Sequence, residues 1–126
     1  MTGSIQNCMN SSSLTLDELK AIAAEIRSSY DLANDAAGRR RWGSMEYCQG
    51  LMGDVGDLTK LLMVQNQLRT GNPDRDRIEH ELADCLWSIL TIAEAVDIDL
   101  EHAFLKTMRE LALRLKVPVN DAEYGK

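Results

Sequence analysis

The sequence predicts an all-α protein, a four-helix bundle, and three observations carry that prediction. Leu, Ala, Ile and Met dominate the apolar set, while Phe, Trp and Tyr together make up 5% of the chain. That balance favours helix over strand. Apolar residues recur at spacings of three and four in segments opened by capping residues and closed by Gly or Pro. Nowhere does an apolar/polar alternation of strand type run for more than a few residues, and no internal repeat is present.

Each element follows from local signals. Thr15-Leu-Asp-Glu18 reads as a capping box, with Thr15 as N-cap and Glu18 three residues on. It opens a helix to about Asp35 that carries Leu19, Ile22, Ala23, Ile26 and Tyr30 on one face. Gly38 ends it, and Arg39-Arg40-Arg41-Trp42-Gly43 is a short basic link. Ser44 is the expected N-cap of a second helix, about Met45 to Leu68. Thr70-Gly71-Asn72-Pro73 is a turn, with Asn72 as N-cap and Pro73 as first residue of a third helix reaching about Val96. Asp97-Ile98-Asp99 breaks the chain, and Asp99 caps a fourth helix to about Leu115. Residues 1–13 form a polar, Ser/Asn-rich arm, 14–117 the helical domain, and 118–126 a polar tail.

Bulk properties narrow the function. A chain of 126 residues makes one domain, and a hydrophobic fraction of 44% suffices for a core, often completed by oligomerisation at this size. The formal net charge of −6 argues against coating nucleic acid or an anionic membrane. Cys8, Cys48 and Cys85 show no C-x-x-C spacing and read as reduced thiols. With no signal-peptide pattern at the start and no membrane-length apolar run, the expected compartment is the cytoplasm.

The chemistry lies in two acidic pairs, Asp54-x-x-Asp57 and Glu81-x-x-Asp84. Residues three apart share a helical face, so each pair directs two carboxylates the same way. A lone pair of this kind is ordinarily a solvated face; here the setting differs. Winding the second helix at about 100° per residue puts Asp54 among Tyr47, Leu51, Leu58 and Leu61, with Asp57 at the stripe's margin. The third helix is apolar over most of its circumference, through Ile78, Leu82, Ala83, Leu86, Trp87, Ile89, Leu90, Ile92, Ala93 and Val96. Glu81 and Asp84 occupy a narrow strip continued by Ser88, Thr91 and Ala95, which faces a pocket or a second subunit, or else is the helix's one solvated face. Two such charges about 6 Å apart repel by roughly 3 kcal/mol at an effective dielectric of about 20. A hard divalent cation is the natural counter-charge for four converging carboxylates. Gly50, Gly53 and Gly56 recur in the same helix, each costing roughly 1 kcal/mol relative to Ala. They signal either close helix approach or room for a ligand beside the acids.

These pieces resemble a known family. Gly53-Asp-Val-Gly-Asp-Leu58, then Glu81-Leu-Ala-Asp-Cys-Leu-Trp87, then Ile98-Asp-Leu-Glu-His-Ala-Phe104 are similar to the MazG family of all-α nucleoside triphosphate pyrophosphohydrolases. The family signature is E-x-x-E, a spacer, then E-x-x-D, and the stretch of resemblance runs from about Trp42 to Met108. The resemblance implies a Mg²⁺-dependent enzyme, with Mn²⁺ as a substitute, that cleaves a (deoxy)nucleoside triphosphate to the monophosphate and pyrophosphate. It also implies a homo-oligomer, dimer or tetramer, that completes the bundle, and a house-cleaning role toward noncanonical nucleotides. Carried over by position, Asp54, Asp57, Glu81 and Asp84 hold the metal, with Asp54 and Glu81 as catalytic residues. Asp54, expected to be the most enclosed, activates water. Two departures stand out. The first motif has Asp at both Glu positions, shortening each side chain by one methylene. Where many members carry K-x-x-x-N-x-x-R, Thr107-Met-Arg-Glu-Leu-Ala-Leu-Arg114 keeps only the final Arg.

Trp42, Arg41 and Lys60 are the candidate substrate-binding residues. Trp42 stands near where some members of the resembled family place an aromatic against the base, or else caps the bundle core. Arg39, Arg40 and Arg41 either offer charge to phosphates or form a solvated basic run, the commoner case. Lys60, one turn beyond Asp57, either binds phosphate or offsets the Asp pair. His80 and His102 fit no ligand pattern and read as surface or helix-end residues, and Cys85 as core. The altered first motif motivates an alternative, a non-catalytic helical nucleotide-binding or assembly module. A ferritin-like di-iron bundle would need E-x-x-H on two helices, and the chain has none.

Overall fold

The computed structural model describes residues 13–118. Almost all of the expected arm and tail therefore lies outside the described residues. The chain forms α1 (Leu16–Ala36), α2 (Ser44–Gln65), α3 (Arg75–Ala95) and α4 (Leu100–Leu115), with no strand among the described residues.

The capping box at the start of α1 is complete. The Thr15 hydroxyl accepts from the Glu18 N–H at 3.2 Å, and the Glu18 carboxylate accepts from the Thr15 N–H at 3.1 Å. Asp99 caps α4 as expected, accepting from the His102 N–H at 3.0 Å. Three boundaries move. Gly43, not Ser44, is the N-cap of α2, and the Glu46 carboxylate reaches back to its N–H at 3.1 Å. Glu46 thus performs its half of a capping box where the cap itself has no side chain. Asp74, not Asn72, caps α3, because its carboxylate takes the Arg77 N–H at 3.1 Å; Pro73 lies just outside the helix. α2 stops at Gln65, short of Leu68. Gln67 turns left-handed (φ 61°) and the Leu68 N–H returns to the Met63 carbonyl at 2.7 Å, a closing motif that exposed polar residues permit.

α2 and α3 pack against each other along their lengths, and α1 lies against α3. Two ties fix α1: the Trp87 indole N–H donates to the Ala23 carbonyl at 3.2 Å, and Arg27 pairs with Glu94 at 3.2 Å. The core is small, built on Ala23, Tyr47, Cys85, Leu90 and Ala93. Tyr47 is its aromatic centre, meeting Trp42 and Trp87 edge-on at 5.7 and 5.5 Å between ring centroids.

The strip on α3 expected to face a pocket is the helix's most enclosed surface: Glu81, Ser88 and Thr91 are buried, Thr91 to 1% exposure. Its apolar flank stays open instead, with Leu82 at 53% and Leu86, Ile89 and Val96 also exposed. Small polar side chains let α1 and α2 approach closely, and two helices cannot cover the rest of α3's circumference. α4 is amphipathic, yet buries no residue and touches the other helices only marginally; Phe104, Met108, Leu113 and Leu115 are exposed. No described helix is long and apolar enough to cross a membrane.

Candidate metal centre

Three of the four acidic residues converge. Asp54 and Asp57 project from the middle of α2 toward the first turns of α3, where Glu81 sits, and one carboxylate oxygen from each lies within 4.8 Å of the others. Register explains it: Asp54 and Asp57 share the face of α2 that meets α3, and Glu81 lies on the enclosed strip of α3. Burial is graded across the cluster. Glu81 is enclosed, at 7% exposure, Asp54 is half-buried, and Asp57 is exposed. Glu81, not Asp54, is therefore the most enclosed of the set.

The electrostatics are uncompensated. No ion pair to Asp54, Asp57 or Glu81 occurs among the described residues. Glu81 Oε2 is buried with no hydrogen-bond partner. Such an atom costs several kcal/mol if ionised and unpaired. Burial, then the charges of Asp84 and Asp57, push the Asp54 carboxyl above its usual range. Burial likewise pushes up the Cys85 thiol, with Asp54, Glu81 and Asp84 adding to it; Cys85 is core, as expected. An all-oxygen cluster containing an orphaned buried carboxylate oxygen fits a hard divalent cation.

Asp84 stands apart from the trio. Its Oδ2 lies 3.1 Å from His80 Nε2, one helical turn away on α3. The i, i+4 spacing of His80 and Asp84 was the available signal for this pair, but a histidine outside any ligand pattern concealed it. Asp84 and Asp54 both line a groove of about 510 Å³ whose other walls include Tyr30, Trp42, Tyr47, Gly50 and Trp87. An adjoining cavity of about 460 Å³ carries the same aromatic side chains on to Asn34, Arg39 and Arg40. Tyr30 and Trp87 had read only as apolar face residues. The aromatic wall arises because the link returns Trp42 over α2 beside them.

Among the substrate-binding candidates, Trp42 alone lines the groove that reaches the acids; it is 49% exposed, and its ring edge lies 4.0 Å from where a Cβ on Gly50 would sit. Arg41 turns the other way. Its guanidinium binds Asp35 on α1 through two bonds of 3.0 and 2.6 Å, with Asp31 at 4.0 Å. Lys60 is exposed on α2, one turn past Asp57. A Cβ added at Gly53 or Gly56 would meet nothing within 4 Å, so neither glycine serves helix packing among the described residues.

Carboxylates gathered from two adjacent helices of a helical domain could hold a divalent cation, as side chains of facing helices do in metal-binding bundles. The family model of the MazG nucleotide pyrophosphohydrolase domain matches residues 45–116, more than half of the chain and the span holding all four acids. The chain belongs to this family. No curated protein and no solved structure matches it significantly.

Proposed function

We propose that the protein is a Mg²⁺-dependent nucleoside triphosphate pyrophosphohydrolase, converting a (deoxy)nucleoside triphosphate and water to the monophosphate and pyrophosphate. House-cleaning of noncanonical nucleotides is the role it would serve. The observation that carries this is the cluster of Asp54, Asp57 and Glu81 with its unpartnered buried oxygen, at the end of an aromatic-walled groove. Asp54, Asp57 and Glu81 hold the cation, and Asp84 completes the set from the groove side. When bound, Mg²⁺ (or Mn²⁺) offsets polyphosphate charge and polarises the reacting phosphoryl group.

The side chains supply the rest. Trp42 offers its open face to the nucleobase, and Lys60 supports the phosphates from the exposed flank of α2. Asp54, which lines the groove from α2, takes the proton of the attacking water. As the water oxygen bonds to phosphorus, the α–β anhydride bond breaks, and the electron pair leaves with pyrophosphate.

A second copy of the chain covers the open apolar flank of α3 and the unpaired face of α4, completing the bundle as a dimer or tetramer. Leu82, Leu86 and Ile89 on α3, and Phe104 and Met108 on α4, are exposed apolar side chains that such a partner would cover. Light scattering tests this, and a monodisperse monomer at micromolar concentration counts against it.

Incubation with a panel of nucleoside triphosphates and Mg²⁺ tests the activity. Pyrophosphate and monophosphate in equal amounts are expected from at least one. Calorimetric binding without any product would instead favour the non-catalytic module, which the Asp-for-Glu first motif and the separate engagement of Asp84 by His80 motivate.

A further inference from the structure

The basic link between α1 and α2 offers three arginines, and the structure commits two of them to carboxylates. After the Arg39 N–H returns to the Asn34 carbonyl at 2.8 Å, no backbone turn bond follows among the described residues until the Tyr47 N–H meets the Gly43 carbonyl. Side chains hold the interval. Arg41 grips Asp35 on α1 with both ends of its fork and has Asp31 at 4.0 Å. Arg40 pairs with Glu46 on α2, whose other carboxylate oxygen takes the Gly43 N–H. One arginine thus anchors the link backward and its neighbour anchors it forward. The next residue is Trp42, whose ring rests over Gly50, one turn before Asp54.

We propose that Arg40 and Arg41 are positioning residues, clamping the link to the helix on either side and so holding the Trp42 ring over Gly50 as a wall of the groove that ends at Asp54. A planar bidentate fork suits this task, since it fixes orientation as well as distance. Gly50 fits the same design: the Trp42 ring lies at van der Waals distance from the Cβ it lacks. The consequence for substrate selection rests on the function proposed above. The clamp governs how well a nucleobase is held, and leaves the phosphates to other groups.

The test compares Arg41→Ala, Asp35→Ala and the double variant in the full chain. Each single change should raise the nucleotide KM by about 5-fold with kcat retained, the scale of a weakened stacking contact. The double variant should cost no more than either single, because both remove one interaction. Competitive inhibition by inorganic triphosphate, which has no base, should be unchanged in all three. A readout independent of activity is the near-UV circular dichroism that Trp42→Phe removes, which should also be lost in Arg41→Ala and Asp35→Ala. An unchanged near-UV band overturns the clamp. So does weaker triphosphate inhibition in Arg41→Ala with Asp35→Ala silent, which would make Arg41 a phosphate contact. If no nucleotide is hydrolysed, the functional reading fails, and the near-UV comparison still decides the clamp.

Discussion

The arginine link and the acidic cluster handle charge in opposite ways. In the link, Arg40 and Arg41 each end on a carboxylate of an adjoining helix. In the cluster, Asp54, Asp57 and Glu81 meet with no cationic side chain paired to any of them among the described residues, and the buried Glu81 Oε2 has no hydrogen-bond partner there. Exposed pairs such as those of the link contribute little to stability, and their use is geometric. Enclosed like charges oppose folding, and a fold that keeps them is arranged for a counter-ion it does not itself supply. The difference separates two charged segments equally conspicuous in the sequence: among the described residues one has its charges paired and the other does not.

That contrast can be broken most sharply at Glu81. Glu81→Gln keeps volume while removing the charge, and turnover should fall by about 100-fold or more, since loss of a ligand exceeds the cost of losing an outer partner. Far-UV circular dichroism should be unchanged; a folded variant with full activity would remove Glu81 from the site.

Asp54→Asn should divide function from stability. Its carboxyl is raised by burial first and then by Asp84 and Asp57, so the folded chain binds this proton more tightly than the unfolded chain does. The stabilising contribution is complete below the unfolded-chain value and is lost as pH rises through the higher folded value. In metal-free protein at neutral pH, Asp54→Asn should therefore raise Tm by about 3 °C while turnover collapses. The Tm difference from wild type should shrink as pH falls into the carboxylate range, and Mg²⁺ should stabilise wild type more than the variant. Equal Tm values across that range would show that the cluster carries no charge strain.

A smaller effect is expected at the fourth acid. His80→Ala frees Asp84 from its imidazole partner and should raise the Mg²⁺ concentration for half-maximal activity by about 3- to 10-fold, with kcat near normal at saturating Mg²⁺. An unchanged Mg²⁺ titration would place Asp84 outside the metal's surroundings. Least affected should be Arg75→Ala. It removes an exposed i, i+4 pair with Glu79 at 3.8 Å, and Tm should move by less than about 1 °C. A larger drop would mean that paired surface charge matters more here than the contrast allows.

The helices and the cap residues Thr15 and Asp99 were legible in the sequence because capping is local: a side chain meets an N–H two or three residues on. Gly43 and Asp74 were misjudged for the same reason. Neighbouring candidates, Ser44 and Asn72, compete on nearly equal terms, and backbone entry decides between them. The acidic spacing identified Asp54, Asp57 and Glu81, whereas their order of enclosure required knowing that the strip on α3 is the surface α1 and α2 cover. The roles of Arg41 and Trp87 were not legible. Arg41 looks available until the link folds back on Asp35, and Trp87 looks like core until its ring lines the groove.

The sequence by itself determined the all-helical fold, the register that sets paired carboxylates on one face, and the excess of apolar surface on α3. These depend on helical period and composition, which act over a few residues. Only the tertiary structure decided which acids meet, which oxygen is left without a partner, and that two arginines of the link are spent on carboxylates. Those outcomes depend on distances between segments far apart in the chain, and charge has no meaning for function until its neighbours in space are known.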